Sequence, residues 1–379
     1  MDHIQFIDHH CHGIVTGVLD RNSFEALISD SFKPPAPGTN HFQKPRGLAV
    51  RRYCAPILDL EPLVSAEQYI ERRMALGPDE VNRRFLRASG IDVHLLDTGH
   101  KTSDICSPET LAEISGHAVR EVIRIEAVAE DVAISGCSAE QYPKRFAEAL
   151  LKRSKNAIGL KSIVAYRATF KIEQTAPKLE ETVKAAGEWL KKAEARAPGK
   201  RPRLDNAVLI RHGLWQAAQI CRERKFPLQL HSGYGDPDVY LHACDPSHFT
   251  DFLRSMEELQ VAVTLLHNYP FEREAAWLSE AFQNVYYDVS AVLNFTGPSA
   301  QRVMHDALEM GPFTKHLFAT DAFGLPEYYY LGVTLFRKTL TQILDSWIKQ
   351  GDCTARDADD IYHAIGRGNA ARIYNLAES

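Results

Sequence analysis

Eight short, β-type apolar runs alternate with longer stretches of helical periodicity, and this alternation constrains the fold more than any other feature. The runs are Ile4–Asp8, Ile91–Thr98, Glu121–Ala129, Ala157–Ser162, Pro227–His231, Val261–His267, Asn284–Ser290 and Lys315–Asp321. Amphipathic segments such as Leu179–Ala195, Asn206–Glu223, Phe271–Phe282 and Ala300–Met310 lie between them. Continuous apolar strands that alternate with helices form parallel sheets buried on both faces. Eight such units predict an α/β fold, a closed (β/α)8 TIM barrel. A doubly wound open sheet is the alternative, because a sequence does not display closure. A barrel needs about 250 residues, so the 379 residues here are read as one domain, 1–379, with elaborations. Residues 13–90 and 167–226 exceed an ordinary connection and are expected as helical insertions over the C-terminal mouth, where they act as lids or substrate walls. The second insertion carries a basic turn, Ala197–Arg203, read as a solvated loop. Glu327–Lys349 and Asp357–Ala377 read as closing helices.

The first run leads into His9-His10-Cys11-His12. On a strand, positions i and i+2 share a face, so His10 and His12 aim their imidazoles at one point beyond the strand end. Two converging neutral imidazoles suit a divalent metal. Catalytic groups of β/α barrels gather at the C-terminal ends of the strands. Those ends carry Lys161 on the fourth run, His231 on the fifth, His267 on the sixth and Asp321 on the eighth. Each alone has a plainer explanation: a strand-end histidine can be structural, and Asp321 can cap the next turn. Together, in barrel order, they point to a catalytic rim.

Composition narrows the partners. Net charge is −5, which argues against nucleic acid or an anionic membrane surface. The seven cysteines are scattered, with no C-x-x-C pair, so a disulfide framework is not expected and a reducing compartment is. The first ten residues lack the pattern of a secretory signal, and no apolar run approaches the ~18 residues of a membrane span. The expectation is a soluble cytoplasmic protein acting on a small molecule, with homo-oligomerisation left open.

These motifs resemble the amidohydrolase superfamily of metal-dependent barrels. Asp8-x-His10-x-His12, the fifth- and sixth-strand histidines and the eighth-strand aspartate carry the resemblance. The closer likeness is to the amidohydrolase 2 branch and, within it, to FluG-type amidohydrolase domains. It rests on Gly159–Arg167, Asp321–Tyr329 and Gly368–Tyr374. The glutamine-synthetase-like part fused to some of these domains is not found in this sequence. The resemblance implies that His10, His12, His231 and Asp321 hold a divalent ion: zinc, with manganese or iron as alternatives, and one or two ions. It implies that Asp321 also takes the proton of an attacking water and hands it to a leaving amine. His267 would bind a second ion or polarise the substrate oxygen. Lys161 would be a carboxylated bridge between two ions, a contact for a substrate carboxylate, or structural.

The function expected is hydrolysis of a C–N, amide-type bond in a small carboxylate-bearing molecule. A decarboxylase or uronate-isomerase-like enzyme, or a catalytically silent regulatory or binding domain, would fit the same scaffold. Arg167, whose planar fork suits a carboxylate, and Tyr166, Tyr234 and Glu327 are the candidate substrate contacts. Arg124, Glu126 and Asp236 are further candidates. The G-x-G-x-x-A match at Gly366–Ala371 follows a helical stretch rather than a strand and is not a dinucleotide site. Cys11 alternates away from the histidines and is read as a small buried hydrophobe.

Overall fold

A computed structural model describes residues 4–100, 103–196 and 200–376. Seven parallel strands follow one another in chain order: β1 (Phe6–Cys11), β2 (Ile91–Asp97), β3 (Ala118–Arg124), β4 (Gly159–Ser162), β5 (Leu228–Ser232), β6 (Val263–His267) and β7 (Val285–Tyr287). Each strand pairs with the next. β1, β4, β5 and β6 are buried along their whole length, as apolar runs covered on both faces must be.

Two cores hold the sheet. Inside its curve, Ile7, Leu95, Val122 and Leu317 pack against Ala370, Ala371, Ile373 and Tyr374 from the C-terminal segment. The second, larger core lies largely between the sheet and its covering helices, among them Ala207–Arg224 and the long Glu327–Gln350. Side-chain caps begin several helices: Asn206 accepts from Val208 and Leu209, and Ser65 and Gln68 form a reciprocal capping box.

Three expectations need correction. The third strand was expected over Glu121–Ala129, but it ends at Arg124, and Ile125–Ile134 is a helix. The reason is periodicity: Ile125, Val128, Ala129 and Val132 are buried at helical spacing. The first strand runs to Cys11 rather than Asp8, so His10 lies within it. Its pairing with β2 is irregular between Asp8 and Cys11. Such an irregularity re-aims side chains, and here His9 and His10, neighbours in sequence, both reach polar partners inside the sheet.

The eighth expected strand, Lys315–Asp321, is not a strand of this sheet. It meets β7 through one parallel bridge, Tyr287 to His316, and through the Leu317 N–H to the Tyr287 carbonyl at 2.9 Å. On its other side the His9 and His12 N–H groups donate to the carbonyls of Phe318 and Ala322, at 3.2 and 2.8 Å. The segment therefore lies between β7 and β1 without regular pairing to either.

Both insertions are helical in part. Residues 13–90 include helices Arg21–Leu27, Pro45–Ala49, Ala66–Leu76 and Pro78–Ala88. Residues 167–226 include Leu179–Glu194 and Ala207–Arg224. Residues 197–199 of the expected basic turn, and Ala377 of the last expected helix, lie outside the described residues. Among the described residues, no helix is long and apolar enough to cross a membrane.

Candidate metal centre

Asp321 stands where the ends of β1 and β6 meet the 315–324 segment. Its Oδ1 lies 3.2 Å from His10 Nε2 and 3.3 Å from His12 Nε2, and its Oδ2 lies 3.5 Å from His267 Nδ1. The side chain keeps 21% of its surface exposed, so the carboxylate is reachable from the mouth. Donor atoms of His10, His267 and Asp321 lie within 4.8 Å of one another, and so do those of His10, His12 and Asp97.

Hydrogen bonds fix which ring nitrogens face this point. Gln229 Nε2 donates to the His9 carbonyl and to Tyr374 Oη, at 2.8 and 2.7 Å. The Gln229 oxygen is thereby left to accept from His10 Nδ1 at 2.9 Å. His12 Nδ1 donates to the Asp97 carbonyl at 3.2 Å. In a neutral imidazole the other nitrogen is then a lone pair, so His10 and His12 both turn acceptors toward the acceptor Asp321 Oδ1. Lys161 Nζ donates to His10 Nε2 at 2.9 Å, which relieves only part of this. Three acceptors converging on one spot fit a cation, and the imidazole–carboxylate set is the chemistry of a divalent metal. Partners that pin the outer ring nitrogen are also the normal support of a metal-binding histidine.

Electrostatics agree with neutral ligands. Burial, helped by the Lys161 ammonium, pushes His10 down to about 3. Burial likewise lowers His267, and lowers His231 far below the usual range. Burial lowers Lys161 to about 8.

The backbone is strained at the same place. His267 (φ 71°), Asn268 (φ 63°), Ala291 (φ 55°) and Asp321 (φ 47°) all occupy the left-handed region. Such conformations are uncommon outside glycine and cluster at functional sites.

The other candidates divide. His231 packs 4.5 Å from His267 and 4.4 Å from Tyr166 between ring centroids, with its Nε2 on the Tyr234 carbonyl at 2.9 Å. It sits beside the three imidazoles around Asp321 rather than among them. Tyr234 lies 6.3 Å from His267 between ring centroids. Arg167 is not a free clamp, because its guanidinium pairs with Glu130 at 3.0 Å. Glu327 is fully buried and does not line the mouth; its carboxylate is taken by Arg73 at 2.8 Å and Tyr69 at 3.2 Å. Arg124 pairs with Asp97 at 2.6 Å, and Glu126 opens a helix and accepts from Ser162 at 2.6 Å. Cys11 is buried, its Sγ 3.6 Å from the Leu95 carbonyl.

Several supporting groups escaped the sequence reading. Asp288 accepts from the His267 N–H at 2.8 Å and from Ser290 Oγ at 2.6 Å, and it pairs with His9 at 2.8 Å. Ser290 Oγ, its proton given to Asp288, accepts from His267 Nδ1 at 2.9 Å. Asp97 and Asp288 lie at the ends of β2 and β7, where the rule that singled out His231 and His267 would also have found them.

The turn after β5 supplies a stability test. Gly233 has φ +74°, and a Cβ there would collide with the Tyr269 carbonyl oxygen. Gly233→Ala is expected to lower unfolding stability by at least ~1–2 kcal/mol, read by urea denaturation. An unchanged midpoint would show that this turn yields freely.

The amidohydrolase family pattern matches residues 7–376. The protein fluG of Emericella nidulans is 26% identical over 403 residues, which cover 98% of this chain and 46% of that protein. The chain thus spans about half the length of that curated relative. A crystal structure of a candidate metal-dependent hydrolase from Lactobacillus casei superposes with a TM-score of 0.86 at 25% identity, covering 99% of this chain and 96% of that one. A uronate isomerase from Thermotoga maritima superposes at 0.62 with 12% identity, over 97% and 94% of the two chains, a likeness of fold alone.

Proposed function

The chain belongs to the amidohydrolase family, and on that premise we propose that it is a metal-dependent hydrolase that cleaves a C–N, amide-type bond in a small carboxylate-bearing molecule. The observation that carries this reading is the convergence of His10, His12 and His267 on the two oxygens of Asp321. We read the fold as an eight-unit barrel in which the 315–324 segment takes the eighth place.

In this reading His10, His12 and Asp321 hold a divalent ion, with His267 and His231 beside it. An imidazole-rich set with one carboxylate suits zinc. When bound, the ion supplies Lewis acidity and lowers the pKa of a water from about 15.7 toward 7. The protein's own groups do the rest. Asp321 presents Oδ1 to His10 and His12 and Oδ2 to His267, so one oxygen can serve as a donor while the other carries a proton. It takes that proton from the attacking water and delivers it to the leaving nitrogen, which departs poorly as an anion. His267, oriented through Ser290 and Asp288, stands ready to polarise the substrate oxygen.

Metal stoichiometry separates the roles of Lys161. Two ions per chain, with a carbamate on the lysine, identify a carboxylated bridge; one ion takes the His10 Nε2 lone pair from the lysine and leaves its amine to a substrate carboxylate or to a structural role.

The protein reconstituted with zinc, manganese or iron is expected to release amine from N-acyl amino acids or γ-glutamyl amides. A chelator is expected to stop the release, and added metal to restore it. Carbon dioxide release or aldose–ketose interconversion with no hydrolytic product would replace this reading with a decarboxylase or an isomerase.

A further inference from the structure

Six hydrogen bonds link the Nδ1 atoms of His10 and His267 through the buried interior. His10 Nδ1 lies 2.9 Å from Gln229 Oε1, Gln229 Nε2 lies 2.7 Å from Tyr374 Oη, and Tyr374 Oη lies 3.1 Å from His9 Nδ1. From there His9 Nε2 lies 2.8 Å from Asp288 Oδ2, Asp288 Oδ1 lies 2.6 Å from Ser290 Oγ, and Ser290 Oγ lies 2.9 Å from His267 Nδ1. None of these residues is more than 3% exposed, so the path runs out of reach of bulk water.

Groups with a single possible role fix the sense of each bond. The backbone N–H groups of His267 and Ser290 donate to Asp288 Oδ1, both at 2.8 Å, so Asp288 is an acceptor. His9 Nε2 and Ser290 Oγ then donate to it as well. A neutral His9 ring carries its lone pair on Nδ1, which takes the Tyr374 O–H. The His9 carbonyl can only accept, and Gln229 Nε2 donates to it at 2.8 Å, which excludes the flipped amide. The second N–H of that amide goes to Tyr374 Oη, and its oxygen takes the proton of His10 Nδ1. The Tyr374 hydroxyl is thus used twice, as acceptor from Gln229 and as donor to His9.

Tyr374 follows the helix Asn369–Ile373 at the end of the chain and supplies no candidate ligand. Without its hydroxyl, one Gln229 N–H and the His9 Nδ1 lone pair lose their partners where water does not reach them. Unpaired polar groups are costly in such a place. The relief open to these two is each other: the amide swings toward His9 Nδ1, and its oxygen leaves His10.

We propose that Tyr374 is a positioning residue of the metal centre: through its hydroxyl the C-terminal segment holds the Gln229 amide on His10 Nδ1 and so keeps the His10 Nε2 lone pair turned to the ion. This rests on the metal-centre reading above and extends it to a segment that contributes no ligand. Asp288 joins the Tyr374 arm to the Ser290 arm, so one carboxylate fixes where His9 and Ser290 place their protons. Outer partners of metal-binding histidines change metal affinity by about 10–100-fold when lost.

The test is Tyr374→Phe, which keeps the ring and removes only the hydroxyl, with Ser290→Ala as the cut on the other arm. Zinc affinity is read by competition with a chromogenic chelator. Tautomers are read by ring-nitrogen NMR of the metal-free protein carrying isotope-labelled histidine, with signals assigned by single histidine substitutions. Tyr374→Phe is expected to bind zinc roughly tenfold or more weakly. It should also move the His10 ring nitrogens from the Nδ1–H pattern toward a mixture of tautomers, and leave those of His267 unchanged. Ser290→Ala should do the converse, moving His267 and sparing His10. Asp288→Asn keeps an oxygen for the two backbone N–H groups and turns an N–H to His9, so the His9 proton should pass from Nε2 to Nδ1. Wild-type zinc affinity with unmoved His10 nitrogens in Tyr374→Phe would overturn the proposal, even beside a lowered urea midpoint, which is the mark of packing alone. If Tyr374→Phe does not fold, an Asp288→Asn protein whose His9 keeps its Nε2 proton overturns it instead. A wild type that shows the stated tautomers but takes no zinc sinks the hydrolase reading alone.

Discussion

Asp321→Asn is expected to cut turnover by about 10²–10⁴-fold, the usual contribution of a positioned general acid–base group. The substitution suits the site. Asp321 sits at φ 47°, a conformation asparagine tolerates, so the backbone has no reason to move. The amide keeps the shape of the carboxylate but cannot take a proton from water and return it to a leaving nitrogen. It also faces His10 and His12 without a negative charge, so metal affinity should fall, and turnover must be compared at saturating metal. Steady-state kinetics with metal analysis on the same sample provide the check. Wild-type turnover in a metal-loaded Asp321→Asn protein would remove the proton shuttle from the account.

Arg73→Met is expected to destabilise the fold by about 3–5 kcal/mol, the cost of leaving one partner of a buried ion pair alone. The 3% exposed Arg73 side chain belongs to the 13–90 insertion, and the fully buried Glu327 opens the long helix that follows the 315–324 segment. Their contact, joined by Tyr69, ties the insertion to the segment that carries Asp321. Without the guanidinium, a buried carboxylate has only Tyr69 beside it. The double variant Arg73→Met/Glu327→Leu should recover most of the loss, because apolar groups of similar volume often replace a buried pair without penalty. Urea denaturation of the two single variants and the double reads this directly. A loss below about 1 kcal/mol would place the pair with weak, solvated surface bridges.

Seven of the eight expected strands and the meeting of His10, His12 and Asp321 were legible because both follow local rules, whereas His231, expected as the third imidazole of the set, stands beside that meeting point and His267 faces Asp321 instead. Strands reveal themselves by apolar runs, and β/α folds collect polar groups at strand ends. The irregular β1–β2 pairing at His9 and His10 was not legible, since simple alternation says nothing about a shifted register. The β3 boundary was missed because Ile125 and Val128 extend an apolar run while already keeping helical spacing. Arg167 and Glu327 were misplaced for a different reason. Their partners, Glu130 and Arg73, come from elements whose packing no local pattern encodes, Arg73 lying 254 residues away from Glu327.

The central claim is that His10, His12 and Asp321 surround one cation. Anomalous diffraction from crystals of the metal-loaded protein tests it most directly. The account predicts a peak bounded by the Nε2 atoms of His10 and His12 and by Oδ1 of Asp321, lost in His10→Ala/His12→Ala. A peak confined to the other buried donor group, Asp8, Cys11 and His94, or no peak in metal-loaded crystals, would contradict it.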